Sequence, residues 1–209
     1  MSDDFFIGTE MPDAQWWQAL WPDPAGVLRA VGLQPGMDVV DLCSGDGWFT
    51  RQIARIAKRT TAIEIDETLL EQSRLRLTAE GVRNCEFILG DACAIANLVP
   101  RQVDFVFLAN AFHGVPDKQR LCTAVAGILA EGGVFAVVNW HPRPREDTVV
   151  LGQPRGPRTD LRIGADEVVA IGRVAGLEVE AVVDIPPYHY AVAFHTRTAM
   201  HARRTGSLG

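Results

Sequence analysis

The chain has 209 residues, of which 47% are hydrophobic and 22% are charged, and its formal net charge is −6. These values are typical of one globular domain with a buried core, and they argue against wholesale disorder and against a membrane protein. No apolar run reaches the roughly 18 residues that span a bilayer, and the acidic start is unlike a signal peptide. A cytoplasmic protein is therefore expected, and its negative charge disfavours a nucleic-acid partner.

The first 35 residues are predicted to form an arm that precedes the main fold. A short helical stretch in this arm holds three of the five tryptophans of the chain, namely Trp16, Trp17 and Trp21. Two interpretations are open for these rings. They cover the sheet as part of the core, or they form a lid over the mouth of a cofactor or substrate site.

Strands and helices are predicted to alternate in the rest of the chain. Apolar strands are expected at 39–42, 60–65, 85–89, 102–108, 134–140, 177–185 and 188–195. Helices are expected at 24–31, 48–58, 67–80, 116–132 and 165–175. Such alternation requires a parallel sheet with right-handed crossovers, and the short link between the last two strands forces an antiparallel hairpin. The sequence therefore predicts an α/β fold with a doubly wound, seven-stranded, mostly parallel sheet and a C-terminal antiparallel β-hairpin.

Residues 39–49 read as a strand with an acidic residue near its end, a glycine turn and the start of a helix. In open α/β sheets ligands bind beyond the carboxyl ends of the strands, and glycines there let the backbone approach a nucleoside closely. The dinucleotide pattern G-x-G-x-x-G would require a third glycine at position 50, which is Thr50. The spacing therefore does not predict a dinucleotide site.

This stretch resembles motif I of the class I S-adenosylmethionine-dependent methyltransferases, a strand that ends in Asp or Glu followed by x-G-x-G-x-G. Cys43 replaces the first glycine, while Gly45 and Gly47 keep the other two. The resemblance covers roughly residues 36–197 and implies the strand order 3-2-1-4-5-7-6. It also implies that S-adenosylmethionine is the cofactor, that S-adenosylhomocysteine is the product, and that Asp41 contacts the methionine end of the cofactor.

Acidic residues lie at the end of the second predicted strand and directly after the third. Glu64 lies 23 residues after Asp41, near the spacing at which a carboxylate reaches a ribose in nucleoside-binding α/β folds. Glu64 and Ile65 belong to a run that resembles methyltransferase motif II, and both are candidate cofactor contacts. Asp66 is an alternative ribose ligand, although a helix cap is its expected role. Asp91 and Ala92 resemble the G-D-A element of the family, in which the Asp accepts from the adenine amino group.

The segment 108–116, which follows the fourth strand, resembles the corresponding segment of small-molecule methyltransferases. Asn110 is its candidate cofactor contact. The segment lacks the D-P-P-Y and N-P-P-Y tetrads of enzymes that methylate exocyclic amines on nucleic-acid bases. A small-molecule acceptor is therefore expected.

Three histidines, His113, His141 and His189, are candidate general bases. They follow the fourth, fifth and sixth predicted strands, so they share the carboxyl edge of the sheet if the sixth strand is parallel. The pKa of histidine suits proton transfer near neutrality, and the alternative for each is a hydrogen-bonded loop residue. Their separation gives no metal-ligand spacing, and the four cysteines form no C-x-x-C pair, so no metal site is expected.

Residues 141–164 lack a clear period and are predicted to be a long loop with five arginines, and loops of this length are usually functional or disordered. In an acidic chain such a cluster could hold a carboxylate, phosphate or sulfate, and a solvated basic loop is the alternative. The candidate substrate contacts are Trp17, Arg143, Arg155 and Tyr188.

The sequence thus predicts methyl transfer to a small-molecule acceptor, which would be anionic if the arginines contact it. One alternative is a non-catalytic nucleoside-binding or interaction protein on the same fold. Another is an RNA or protein methyltransferase that docks through its basic loop and the arginines Arg197, Arg203 and Arg204. The whole chain, 1–209, is expected to be one methyltransferase domain with an arm at 1–35, a core at 36–197 and a flexible tail at 198–209. No pattern indicates the oligomeric state.

Overall fold

The computed structural model describes residues 14–196. The helices are α1 (Ala14–Leu20), α2 (Pro24–Ala30), α3 (Thr50–Ile56), α4 (Glu67–Ala79), α5 (Ile95–Leu98), α6 (Lys118–Ile128) and α7 (Ala165–Val174). The strands are β1 (Asp38–Leu42), β2 (Arg59–Glu64), β3 (Cys85–Leu89), β4 (Val103–Ala109), β5 (Leu129–Trp140), β6 (Val149–Val150), β7 (Gln153–Pro154), β8 (Leu177–Ile185) and β9 (His189–Thr196). The start of the predicted arm, the predicted tail and the arginines Arg197, Arg203 and Arg204 lie outside the described residues.

Seven strands form one sheet in the order β3-β2-β1-β4-β5-β9-β8. Strands β1 to β5 are parallel, whereas β9 is antiparallel to both β5 and β8. Strand β8 therefore runs parallel to β5. The predicted order is confirmed, and only the numbering differs, because β6 and β7 form a separate two-stranded ribbon.

Three of the helices begin directly after an aspartate, as the sequence predicted, and each aspartate caps its helix. The side chain of Asp23 accepts a hydrogen bond from the backbone N–H of Gly26, and that of Asp117 accepts one from Arg120. Asp66 accepts from two backbone N–H groups at the start of α4, so its expected capping role is confirmed. Caps of this kind satisfy backbone donors that a helix leaves unpaired in its first turn.

The sheet is buried on both faces, because alternate residues of its central strands enter different core clusters. In β4, Val106 packs on the side of α5, α6 and α7, whereas Phe107 packs on the side of α1, α2 and α3. The tryptophans Trp16, Trp17 and Trp21 belong to the second cluster, and each is at most 7% exposed. In this structure the rings are therefore part of the core, in agreement with the first of the two interpretations.

The structure corrects two predicted boundaries. Helix α6 ends at Ile128, and β5 already begins at Leu129, where the sequence predicted a helix up to Gly132. Gly133 packs so closely against the neighbouring backbone that a Cβ would lie 3.1 Å from the carbonyl oxygen of Val103, so this glycine serves an irregular strand start. The loop 141–164 is also more regular than predicted, since it contains the β6–β7 ribbon and two 3-10 turns.

Candidate active site

The glycine turn after β1 adopts backbone conformations that favour glycine. Cys43, Gly45 and Gly47 have φ values of 57°, 56° and 84°. A residue with a side chain pays about 1–2 kcal/mol in this left-handed region, so Cys43 is strained at the position where the family has its first glycine. At Gly47 a Cβ would lie 2.3 Å from Oγ of Ser73 in α4, so the turn packs directly on that helix.

Glu64 joins this turn to the end of β2. Its Oε2 accepts a hydrogen bond of 2.8 Å from the backbone N–H of Gly45, and its Oε1 accepts from the N–H groups of Ile65 and Asp66 at 2.9 and 3.1 Å. The side chain is buried. A carboxylate has about four lone-pair sites, so the three backbone donors fix its position and leave capacity for a hydroxyl of a ligand.

Asp41 lies in β1 and is also buried. Its Oδ2 accepts a hydrogen bond of 2.6 Å from the hydroxyl of Thr50. Burial raises the pKa of Asp41 to about 7; the hydrogen bond from Thr50 opposes this rise, and the negative charge of Glu64 adds to it. A cation beside Asp41 would therefore be stabilised by the carboxylate and would in turn favour its ionised form.

The predicted adenine element follows β3, next to Glu64. The backbone N–H of Gly90 donates to the carbonyl oxygen of Glu64 at 2.9 Å, and Oδ1 of Asp91 accepts from the N–H of Cys93 at 2.8 Å. This bond caps the 3-10 turn that begins at Ala92. Ile65 is 47% exposed, so it offers an apolar surface at the same edge of the sheet.

Asn110 follows β4 and is a second residue with a side chain in the left-handed region, with φ 58°. Its Oδ1 is buried and has no hydrogen-bond partner within the part of the chain that the structure describes. A buried acceptor without a donor costs about 1–3 kcal/mol, which a donor on a ligand would recover. This orphaned oxygen fits a binding site at the end of β4.

His113 and His141 follow β4 and β5, as predicted, but they have different neighbours. Nδ1 of His113 lies 3.1 Å from Oδ1 of Asn139, and burial lowers the pKa of His113 to about 4. His141 is near the surface, where its Nε2 lies 2.8 Å from Oδ1 of Asp184.

His189 begins β9, at the same edge of the sheet because β8 is parallel to β5. Its ring is fully buried between Trp21 and Trp140, with ring centroids 4.3 and 4.2 Å apart. Burial lowers the pKa of His189 well below its usual value. The three histidines thus share an edge, and after burial the charges of His141 and His113 are among the causes that lower the pKa of His189. Between residues 14 and 196 no three His, Cys, Asp or Glu side chains are grouped as metal ligands, and all four cysteines are free thiols.

An aromatic pair borders the glycine turn. Trp48 directly follows Gly47, and Trp17 of α1 stacks on it with ring centroids 6.4 Å apart and an interplanar angle of 20°. The indole N–H groups of both rings are buried and have no acceptor among the described atoms. Sequence reasoning did not single out Trp48, although an aromatic residue directly after the last glycine of the motif was a visible signal.

The loop 141–164 is organised around Arg162, which sequence reasoning did not single out among the five arginines. This side chain is 7% exposed, and its guanidinium lies 5.1 Å over the ring of Trp140. Its N–H groups donate to four oxygens, the carbonyls of Arg143, Arg155 and Pro157 and the hydroxyl of Thr148. Arg162 is therefore a structural centre of the loop.

The other predicted substrate contacts lie around this centre. Tyr188 stacks on Trp140 with ring centroids 6.2 Å apart, and its hydroxyl donates to the carbonyl oxygen of Val149 at 2.8 Å. The side chain of Arg143 is exposed, and Arg155 is half-buried. Tyr188, between β8 and β9, thus contacts the loop that carries Arg143 and Arg155, and the contact of these residues with a substrate stays a prediction.

Residues 40–137 match a family model described as a methyltransferase domain. A ubiquinone/menaquinone biosynthesis C-methyltransferase of Shewanella halifaxensis is 27% identical over 124 residues, which are 57% of this chain and 49% of that protein. A ubiquinone biosynthesis O-methyltransferase of Stutzerimonas stutzeri is 26% identical over 159 residues, which are 72% of this chain and 68% of that protein. The chain thus spans about half the length of the first of these relatives.

A solved structure with a similar fold is a SAM-dependent methyltransferase from Aquifex aeolicus. Its TM-score is 0.74 and its identity 22%, over 87% of this chain and 93% of that chain. With the strand order, this likeness shows the Rossmann-like α/β fold that the motifs predicted, and residues 40–137 within it match the methyltransferase domain.

The described residues fit S-adenosylmethionine as a cofactor. The carboxylate of Glu64 keeps capacity for a ribose hydroxyl, and Oδ1 of Asn110 is a buried acceptor without a donor. The buried carboxylate of Asp41 suits the cationic methionine end. Each of the three lies at the carboxyl end of a different parallel strand, where ligands bind in such sheets.

Proposed function

We propose that the protein transfers the methyl group of S-adenosylmethionine to a small-molecule acceptor. The observation that carries the proposal is the carboxylate of Glu64, which three backbone N–H groups fix beside the glycine turn. A preorganised carboxylate at this position binds a ribose hydroxyl without rearrangement. When bound, the cofactor supplies a methyl group that is already activated on a sulfonium. The protein then has to position the acceptor, exclude water and take up a proton.

In this proposal each strand end holds a different part of the cofactor. Glu64 and Ile65 contact the ribose, and Asp91 and Ala92 contact the adenine. The methionine end lies near Asp41, the glycine turn and Asn110. The complete set of proposed cofactor contacts is Asp41, Cys43, Gly45, Gly47, Glu64, Ile65, Asp91, Ala92 and Asn110.

The acceptor is proposed to bind at the same edge, near the aromatic pair of Trp17 and Trp48. Both curated relatives named above are quinone-biosynthesis methyltransferases by name, which supports a small-molecule acceptor. An anionic group on the acceptor would contact Arg143 and Arg155, with Tyr188 beside them. One of the histidines would receive the proton of the acceptor.

The proposal also covers the cellular location of the protein, its partners and its domain organisation. No helix between residues 14 and 196 is long and apolar enough to cross a bilayer. A cytoplasmic location, a single methyltransferase domain and the absence of a nucleic-acid partner stay predictions.

Calorimetric titration with S-adenosylmethionine and S-adenosylhomocysteine tests the cofactor site. We expect micromolar binding by the wild type and a loss of more than about tenfold, or about 1.4 kcal/mol, in Glu64→Ala. Asp66→Ala is the matched control, because it disturbs the same turn and the start of α4 without removing the proposed ribose ligand. Wild-type protein that binds neither compound, or a Glu64→Ala variant that binds as tightly as the wild type, would contradict the proposal.

A methyl-transfer screen tests the acceptor class. Small phenols, thiols, amines and carboxylates are incubated with the wild type and labelled S-adenosylmethionine, and release of S-adenosylhomocysteine is measured. Turnover of at least one class, lost in Glu64→Ala, supports the proposal. Cofactor binding without turnover of any acceptor would favour the non-catalytic alternative.

A further inference from the structure

Asn139, near the carboxyl end of β5, contacts the first of the candidate bases. The side chain of Asn139 is fully buried, and His113 is 5% exposed. Oδ1 of Asn139 lies 3.1 Å from Nδ1 of His113 and also 3.1 Å from the backbone nitrogen of Trp140. His113 and the backbone nitrogen of Trp140 thus share one acceptor atom, which lies 26 residues after His113 in the chain.

The backbone nitrogen of Trp140 determines how this contact is protonated. A backbone N–H can only donate, so the amide atom of Asn139 that faces it must be the oxygen. If the amide were rotated by 180°, its NH₂ group would face the N–H of Trp140, donor against donor. The oxygen can only accept, so Nδ1 of His113 must carry a hydrogen. In a neutral imidazole the other nitrogen, Nε2, then holds the lone pair.

We infer that Asn139 is a positioning residue that fixes the Nδ1–H tautomer of His113 and so makes Nε2 the hydrogen-bond acceptor of the ring. His113 comes three residues after Asn110, at the end of β4, where the proposed function places the methionine end of the cofactor. As far as its role in the reaction is concerned, the inference rests on that proposed function. An acceptor Nε2 suits a substrate whose reacting atom still carries a hydrogen, such as a hydroxyl, thiol or amine.

The surroundings of His113 and Asn139 keep the ring of His113 in this tautomer. Burial lowers the pKa of His113 to about 4, so the ring is neutral at neutral pH and one nitrogen must stay unprotonated. The backbone on which Asn139 lies is fixed, because β5 is paired with β4 on one side and with β9 on the other. Exchange of the tautomer would bring the lone pair of Nδ1 against the oxygen of Asn139 and would leave the amide oxygen without its second donor.

The tautomer is measured directly by two-bond proton–nitrogen correlation spectra of the ¹⁵N-labelled full chain at pH 7.5, with the spectrum of His113→Gln to assign the ring. We expect Nδ1 of His113 to resonate as a protonated nitrogen and Nε2 as an unprotonated one. The excess of this tautomer should be roughly tenfold or more, which corresponds to about 1.4 kcal/mol. A wild-type spectrum with protonated Nε2 overturns the inference, whether or not any variant of Asn139 folds.

Two substitutions separate positioning from general packing. Asn139→Asp keeps an oxygen for both donors, so the Nδ1–H tautomer should persist. Asn139→Leu has a similar volume but no acceptor, so the excess of this tautomer should fall at least about threefold. The same tautomer ratio in Asn139→Leu and the wild type would overturn the role of Asn139. Calorimetry with S-adenosylmethionine on the same samples tests the proposed function separately, because the tautomer spectrum needs no bound cofactor.

Discussion

Thr50 donates a hydrogen bond of 2.6 Å to Asp41, so the first residue of α3 is tied to the acidic residue of β1 across the glycine turn. Asp41 is 3% exposed, and burial raises its pKa from about 3.8 to about 7. Between these two values the folded chain binds more protons at Asp41 than the unfolded chain. The contribution of a protonated Asp41 to stability is therefore complete below pH 4 and is lost as the pH rises through 7.

Asp41→Asn should remove this loss, because an amide does not ionise. The free energy of unfolding of the variant relative to the wild type should rise by about 2 kcal/mol between pH 5.5 and pH 8, at 1.36 kcal/mol per pKa unit. Urea unfolding at both pH values measures the difference. In a second variant, Thr50→Val, the hydrogen bond that lowers the pKa is lost, so the pH window should move upward. A stability difference between Asp41→Asn and the wild type that is independent of pH would contradict this account.

Cofactor binding should also depend on the protonation state of Asp41, but it should favour the ionised carboxylate, whereas the stability of the free protein favours the protonated one. The methionine end of S-adenosylmethionine carries an ammonium group, so binding beside Asp41 favours the ionised carboxylate. Affinity should therefore rise from pH 6 to pH 8, by up to about tenfold per unit below the pKa of free Asp41, and binding should release a proton. Calorimetry in two buffers with different ionisation enthalpies measures this proton. Equal binding heats in both buffers at pH 6.5 would exclude Asp41 as the group that ionises.

Gly47 should tolerate a side chain much less well than Gly81, although both have positive φ values, 84° and 76°. At Gly47 a Cβ would lie 2.3 Å from Oγ and 3.0 Å from Cβ of Ser73, whereas Gly81 has no such atom within 4 Å. Gly81→Ala should cost about 1–2 kcal/mol of backbone strain alone, and Gly47→Ala at least about 2 kcal/mol more. Urea unfolding of the two variants tests this difference, and similar costs would mean that α4 yields easily.

The placement of the proposed cofactor contacts at one edge of the sheet was predictable because its signals are local. Asp41, Glu64 and Asp91 each come at or directly after the end of an apolar run, and the carboxyl ends of parallel strands share one edge of the sheet. Nothing more than strand ends and spacing was required to bring them together. The capping role of Asp66 was equally local, since it depends only on the residues that follow it.

The rest of the site depends on contacts between distant parts of the chain. The pairing of His113 with Asn139 spans 26 residues, and Asn139 reads as an ordinary strand residue in the sequence. Arg162 is one of five loop arginines, and only its burial over Trp140 distinguishes it from the others. The predicted start of β5 was wrong for a related reason. Gly133 packs against the backbone of β4 within the strand, whereas the sequence predicted that the glycines end a helix there.

Arg162→Lys should loosen the loop 141–164, because an ammonium cannot reach the four oxygens to which the guanidinium donates. We expect a loss of about 2–4 kcal/mol in the free energy of unfolding and faster tryptic cleavage within the loop. Arg158→Lys is the matched control, since Arg158 pairs with Asp160 at the surface, where ion pairs contribute little. Both variants keep a tryptic site, so cleavage rates compare directly. Equal rates would show that Arg162 does not hold the loop.

Trp17→Ala should separate the two roles considered for the tryptophan arm. Trp17 is 7% exposed and stacks on Trp48, so its removal should cost about 3–5 kcal/mol in the free energy of unfolding. Gln18→Ala is the control on the same helix, because Gln18 is exposed, and it should change stability by less than about 0.5 kcal/mol.

If Trp17 belongs to the core and the acceptor region, the affinity of Trp17→Ala for S-adenosylmethionine should stay within about threefold of the wild type, or about 0.7 kcal/mol. A lid over the cofactor would behave differently, because losing it would speed the dissociation of S-adenosylmethionine with little change in the stability of the free protein. Urea unfolding and cofactor calorimetry on one preparation distinguish these outcomes. Unchanged stability with weakened cofactor binding would contradict the core assignment of Trp17 and favour the lid.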